Sequence, residues 1–161
     1  MSRTAGSGCV IRRGRPDDAK QASQLFYDTV NEINSRDYSP EQIEAWAPGN
    51  MDAKRWSKSL AEKTVFVAEQ GGEILGFAEL EPDGHIDRFY CHSKHQSCGI
   101  GTSLMNEIEN TARASEISRL YTEASITARP FFERRGFETL AERQVEIRGV
   151  ALTNFAMQKI L

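Results

Sequence analysis

The stretch from Ile86 to Leu104 constrains this chain more than any other. A β-rich run, His85-Ile86-Asp87-Arg88-Phe89-Tyr90-Cys91, gives way to a polar loop from His92 to Cys98. Gly99-Ile100-Gly101 then opens a segment in which Ile100, Leu104, Met105, Ile108 and Ala112 recur at helical spacing. A helix that starts this way leaves its first N–H groups without intrahelical partners. Those groups, with the positive end of the helix dipole, suit a phosphate or pyrophosphate. Gly99 and Gly101 lack Cβ, so an anion can approach the backbone. Lys94 is the one full positive charge in the loop, which leaves most of the binding to backbone amides.

The rest of the chain frames that unit. Cys9-Val10-Ile11-Arg12 reads as a first strand, and residues 1–8 as a disordered tail. Three helices follow: one after Pro16-Asp17-Asp18, one capped by Ser39 with Pro40 and Gln42 at first-turn positions, and one from Met51 to Ala61. Thr64–Ala68 and Ile74–Leu80 form a hairpin around Gln70-Gly71-Gly72-Glu73, and Pro82-Asp83-Gly84 turns into the third strand of that group. After the long helix come a strand over Ser118–Glu123, a helix over Ala128–Arg135, and two strands turning at Arg148-Gly149. This order predicts an α/β fold in one domain over residues 9–161, a mixed sheet with helices on both faces. A net charge of −3 with scattered Lys and Arg excludes a broad nucleic-acid footprint. The chain has no apolar stretch near the roughly 20 residues of a membrane helix and no apolar leader, so a cytoplasmic protein is expected. Three cysteines do not make a disulfide framework.

Three ligand chemistries compete for the loop. A dinucleotide fold needs G-x-G-x-x-G, but Leu104 stands at the third position, and the flanking hairpins do not suit a doubly wound sheet, although Glu123 lies at a fitting distance downstream. A zinc site would use Cys91, His92, His95 and Cys98, whose spacing follows no common pattern. The third is coenzyme A. Gln96-Ser97-Cys98-Gly99-Ile100-Gly101 resembles the Gln/Arg-x-x-Gly-x-Gly/Ala signature of the GNAT N-acetyltransferases. The run from Ala128 through Phe131-Phe132 to Gly136-Phe137 resembles the family's second mark, and the element order matches from Val10 to Leu161. Tyr38–Pro48 and Glu123-Ala124-Ser125 look like its YafP-type branch.

The resemblance implies a mostly antiparallel sheet splayed at the cofactor strand, acetyl-CoA as cosubstrate, and a small-molecule or peptide amine as acceptor. By the same carry-over, the loop from Gln96 through Ser97, Cys98, Gly99, Ile100 and Gly101 to Thr102 would hold the pyrophosphate. Phe89, Tyr90 and Cys91 would meet the pantetheine arm and the reacting carbonyl, with Ser125 and Phe131 beside them. Many members carry a Tyr where Phe132 stands, so either Tyr121 or Tyr90 would supply the acid, or the thiolate would leave with water as the acid. His85, just before the cofactor strand, and Glu79 are the candidate bases, and direct attack in a ternary complex is expected. Tyr27, Asn31, Tyr38 and Trp46 lie where the family builds its acceptor wall. Each of these residues also has a plainer reading: His85 as a turn-flanking residue, Glu79 as an outward strand carboxylate, the cysteines as packing. No metal role is assigned. The alternative of another class is a CoA-binding module without catalysis. A homodimer through Leu152–Phe155 is open.

Overall fold

The computed structural model describes Arg3–Ala5 and residues 9–161. Eight strands and five helices appear among them: β1 Arg3–Ala5, β2 Cys9–Arg13, α1 Ala19–Glu32, α2 Pro40–Trp46, α3 Ala53–Glu62, β3 Thr64–Gln70, β4 Glu73–Leu80, β5 Ile86–Cys91, α4 Ile100–Ala114, β6 Arg119–Ser125, α5 Arg129–Arg134, β7 Glu138–Ile147 and β8 Val150–Ile160. The expected order holds, with one correction. Arg3–Ala5, read as part of a disordered tail, pair antiparallel with β2. Their backbone satisfies an edge of β2 that would otherwise be unpaired, which needs no particular side chains. The other residues of that tail lie outside the described ones.

Local chemistry sets the helix starts. The Ser39 hydroxyl accepts from the Gln42 N–H at 3.2 Å, and the Gln42 side chain accepts from the Ser39 N–H at 2.8 Å. Asp52 caps α3 by accepting from the Arg55 N–H at 3.2 Å.

The strands form two antiparallel sheets, β1-β2-β3-β4-β5 and β6-β8-β7. Along β3, Val65 and Val67 pack with α1 and α3, while Phe66 and Ala68 pack with α4, so helices cover both faces. A third apolar cluster joins Val30, Tyr38 and Ile43 to Leu152 of β8. The possible interface on the last strand is corrected here. Leu152 and Phe155 lie on opposite faces of β8, Leu152 in the cluster with Val30 and Tyr38 and Phe155 in the cluster with α4, so both side chains are covered within the chain, 3% and 7% exposed.

The two sheets meet at one short joint and then part. His85 and Tyr121 form a single parallel bridge, the Tyr121 N–H donates to Gly84 O at 3.1 Å, and the Thr122 hydroxyl donates to Ile86 O at 2.9 Å. Gly84 has φ +98°, and a Cβ there would lie 2.1 Å from Arg119 O, so glycine is required for this approach. Beyond the joint, β5 and β6 diverge, which is the splayed mixed sheet expected. Among the described residues no helix is long and apolar enough to cross a membrane.

Candidate active site

The gap between β5 and β6 opens on one side into a cavity of about 630 Å³. Its floor is backbone. The His92 N–H donates to Leu75 O at 2.8 Å, so the amide of Tyr90, two residues earlier, also faces β4. The intervening amides of Phe89 and Cys91 therefore face the gap. At the loop, the Gln96 side chain donates to Cys91 O at 2.8 Å and His92 O at 3.2 Å, tying the turn to the end of β5. The first intrahelical bond of α4 runs from the Ser103 N–H to Gly99 O at 3.1 Å, leaving the amides of Ile100, Gly101 and Thr102 before it.

Phe89, Tyr90, Cys91, Gln96, Ser97, Cys98, Gly99, Gly101, Thr102, Ser125 and Phe131 all line this cavity. Ile100 contributes only backbone, because its side chain is buried in the core. Gly101 is needed for a reason the sequence did not show: a Cβ there would lie 2.9 Å from Phe131 Cε1 and 3.5 Å from Cys91 Sγ. Ser125 Oγ accepts from the Ala128 N–H at 3.0 Å and the Asn34 side chain at 3.4 Å. Arg135 also lines the cavity, and its Nε is buried without a partner. Burial pushes the Cys91 thiol up to about 12, which keeps it protonated and unsuited to forming an acyl-enzyme at neutral pH.

A second cavity of about 820 Å³ lies on the other side, under α3 and the β7–β8 hairpin. Tyr27, Tyr38 and Trp46 line it as expected, together with Trp56, Arg88, Val145 and Ile147. Asn31 does not; its side chain donates back to Tyr27 O at 2.9 Å. The Tyr38 hydroxyl accepts from the Ile126 N–H at 2.9 Å and donates to Thr153 O at 2.7 Å, bracing β8 against the end of β6. The two cavities share Trp46, Asp87, Tyr90, Glu123 and Ser125.

Of the expected acid–base residues, Tyr90 lies at that junction, and Glu79, Tyr121 and His85 lie off it. Glu79 is 1% exposed, accepts from Arg88 at 2.5 and 2.9 Å and from the Ser59 hydroxyl at 2.9 Å, and lines neither cavity. The Tyr121 hydroxyl donates to Asp83, which pushes it up to about 12, and it too lines neither cavity. His85 sits between two carboxylates, with Nδ1 on Glu81 and Nε2 2.8 Å from Glu123. Burial lowers its pKa, but the two carboxylates outweigh that and raise it above the ordinary value.

Two residues missed by sequence reasoning stand at the junction instead. Asp87 belongs to a bulge, where Asp87 and Arg88 together oppose Glu79 between the Ala78–Phe89 and Leu80–Ile86 pairs. Burial, then the Glu79 charge, raises its carboxyl pKa. Glu123 projects from β6 on the side opposite the buried Leu120, Thr122 and Ala124. The signals were present: a charged pair inside an apolar strand, and an acid alternating with buried neighbours.

The zinc reading of the loop finds no support in the geometry. Among the described residues, the set of three possible ligands within 4.8 Å of one another is Glu81, His85 and Asp87, with none of the loop's cysteines or histidines. His92 Nδ1 accepts from the Lys94 N–H at 3.1 Å.

A sheet opened at one strand, with an amide-lined turn on one side and a second cavity on the other, defines an acyltransferase cleft. The acetyltransferase (GNAT) domain model matches residues 34–159, and the chain belongs to this family of N-acetyltransferases. It is 36% identical over 148 residues to the N-acetyltransferase YafP of Escherichia coli K12, covering 92% of this chain and 93% of that one. A GCN5-related N-acetyltransferase structure from Rhodopseudomonas palustris, also described as a class-II aminotransferase, superposes with TM-score 0.89 at 32% identity, over 100% of this chain and 98% of that one. The PaiA N-acetyltransferase of Thermoplasma acidophilum, solved in complex with coenzyme A, gives 0.78 at 17% identity, over 95% and 99%.

Proposed function

We propose that the protein transfers an acetyl group from acetyl-CoA to a primary amine by direct attack in a ternary complex. One observation carries this reading: two cavities, one backbone-lined and one side-chain-lined, meet at Asp87, Tyr90 and Glu123. The residues fit the cosubstrate. The amides at the start of α4 suit its pyrophosphate, the gap-facing amide of Cys91 suits its amide arm, and the unpartnered Arg135 Nε suits an anion. Bound there, acetyl-CoA supplies the thioester that is attacked.

The chain's own groups do the rest. An alkyl ammonium entering the second cavity meets Asp87 and Glu123, one from each diverging strand. Glu123 takes the proton that frees the amine, and Asp87 holds the cationic end in place. The Phe89 amide, facing the gap, donates to the oxyanion. Burial raises the Tyr90 hydroxyl far above a thiol's ordinary value of about 8.5, so Tyr90 offers the departing thiolate a hydrogen bond and keeps its proton.

Calorimetric titration with acetyl-CoA, followed by turnover across a panel of primary amines, tests the reading. Binding, with acetylation of at least one amine and a fall in kcat of about 10²–10⁴ for Glu123→Gln, is the expected result. Absence of acetyl-CoA binding overturns it, and binding with no turnover on any amine leaves a cofactor-binding module.

A further inference from the structure

Behind Glu123 the hydrogen-bonded row continues through His85 to Glu81, and neither of these two has a task in acetyl transfer as set out above. The two sheets do not depend on the row alone, because the Tyr121–Gly84 and Thr122–Ile86 bonds also join them. It runs from the junction of the cavities, where Glu123 stands, to the turn before β5, where Glu81 is 38% exposed. His85 itself is 15% exposed and uses both ring nitrogens, one on each carboxylate.

We infer that His85 is a positioning residue that carries the acceptor's proton from Glu123 to solvent through Glu81. This rests on Glu123 being the base. The first N–H bond of the ammonium breaks before attack and Glu123 takes that proton; the second proton leaves nitrogen as the C–S bond breaks and goes to the departing thiolate. Nε2 of the neutral imidazole then takes it from Glu123 as the Nδ1 proton passes to Glu81. Glu81 loses a proton to water, and exchange with water resets the ring tautomer. One proton reaches solvent for each amide bond formed, by a route that bypasses the thioester.

The groups around His85 set its pH response. Glu81 and Glu123 flank the ring, Tyr121 stacks at 4.8 Å, Asp83 accepts from the His85 N–H at 3.1 Å, and Asp87 belongs to the same cluster with Lys63 3.7 Å away. These carboxylates favour imidazolium, whereas the relay needs neutral imidazole. Turnover therefore rises with pH through a group titrating above the ordinary histidine range.

The test is the pH profile of kcat for the full chain, with saturating acetyl-CoA and putrescine, glycine and phenethylamine as acceptors. The wild-type chain is compared with His85→Gln and Glu81→Gln. Both variants are expected to lose kcat about tenfold or more and to lose that limb of the profile, with unchanged affinity for acetyl-CoA. Added imidazole is expected to restore part of the rate to His85→Gln and none to Glu81→Gln. Retention of wild-type kcat and pH profile by both variants overturns the relay while leaving the acetyltransferase reading intact. If the wild-type chain acetylates none of the three amines, the reading of Glu123 as base fails first, and the relay with it. If His85→Gln loses acetyl-CoA affinity, His85 serves the joint and not the proton, and the relay is overturned.

Discussion

The two cavities on either side of the split strands are made in different ways. The side on which α4 starts draws its free amides from one continuous piece of backbone, from Phe89 to Thr102, and completes its wall with residues of α1, α2, β6 and α5. The acceptor side is built from side chains of α1, α2, α3, β5, β6, β7 and β8. A backbone site is specified by where amides are left unpaired, which a glycine pattern can announce. A side-chain site exists only after distant segments have packed. The same contrast separates two strand carboxylates: Glu79 is locked against Arg88 and Ser59, with that guanidinium 4.1 Å above Trp56, while Glu123 faces both cavities.

The strongest way to break this contrast is at Glu79. Glu79→Ala leaves the Arg88 guanidinium without its buried partner, and a loss of about 3–5 kcal/mol is expected in denaturant unfolding. A loss below 1 kcal/mol would show that Glu79 is not structural. Next, Gly101→Val drives a branched side chain into Phe131. Overpacking of about 1–3 kcal/mol is expected in denaturant unfolding. Wild-type stability would mean that Phe131 moves freely.

Gly99→Ala meets no neighbour within 4 Å but must hold φ +83°, so about 1–2 kcal/mol of stability is lost with no steric change at the loop. A smaller effect, about 1 kcal/mol, belongs to the acceptor side: Ser39→Ala removes the cap of α2, which carries Trp46. Alkylation sharpens the comparison last. Iodoacetamide at pH 8 should modify the exposed Cys98 and spare Cys91, whose labelling should rise only as pH approaches 12. Equal rates read by mass spectrometry would mean that the Cys91 thiol is not shielded.

Much of the frame was legible. The Ser39–Gln42 capping box, the β3–β4 hairpin and the apolar stripe of α4 each rest on residues close in sequence, and each formed as read. The turn into α4, with its free amides, was legible for the same reason. The surroundings of the expected bases were not. His85 was placed correctly before β5, but its partners, Glu81 and Glu123, depend on how β5 meets β6. Glu79 alternates with apolar neighbours like an outward carboxylate, and only the bulge opposite it and the arrival of α3 turn it into a buried ion pair. The Arg3–Ala5 backbone pairs with β2, and their composition gave no sign of a strand.

The joint at Gly84 has a mechanical consequence. It sits at one end of β5, whose six residues extend about 20 Å from it. A pivot at the end of two arms makes a lever: a small angular error there is magnified along the strands into a large change of span. The width of the gap between the two cavities is thus governed by residues that line neither of them. Substitutions around Gly84 and Arg119 should tune reach and selectivity more steeply than substitutions in the walls, much as moving a hinge alters a door's sweep more than planing its edge.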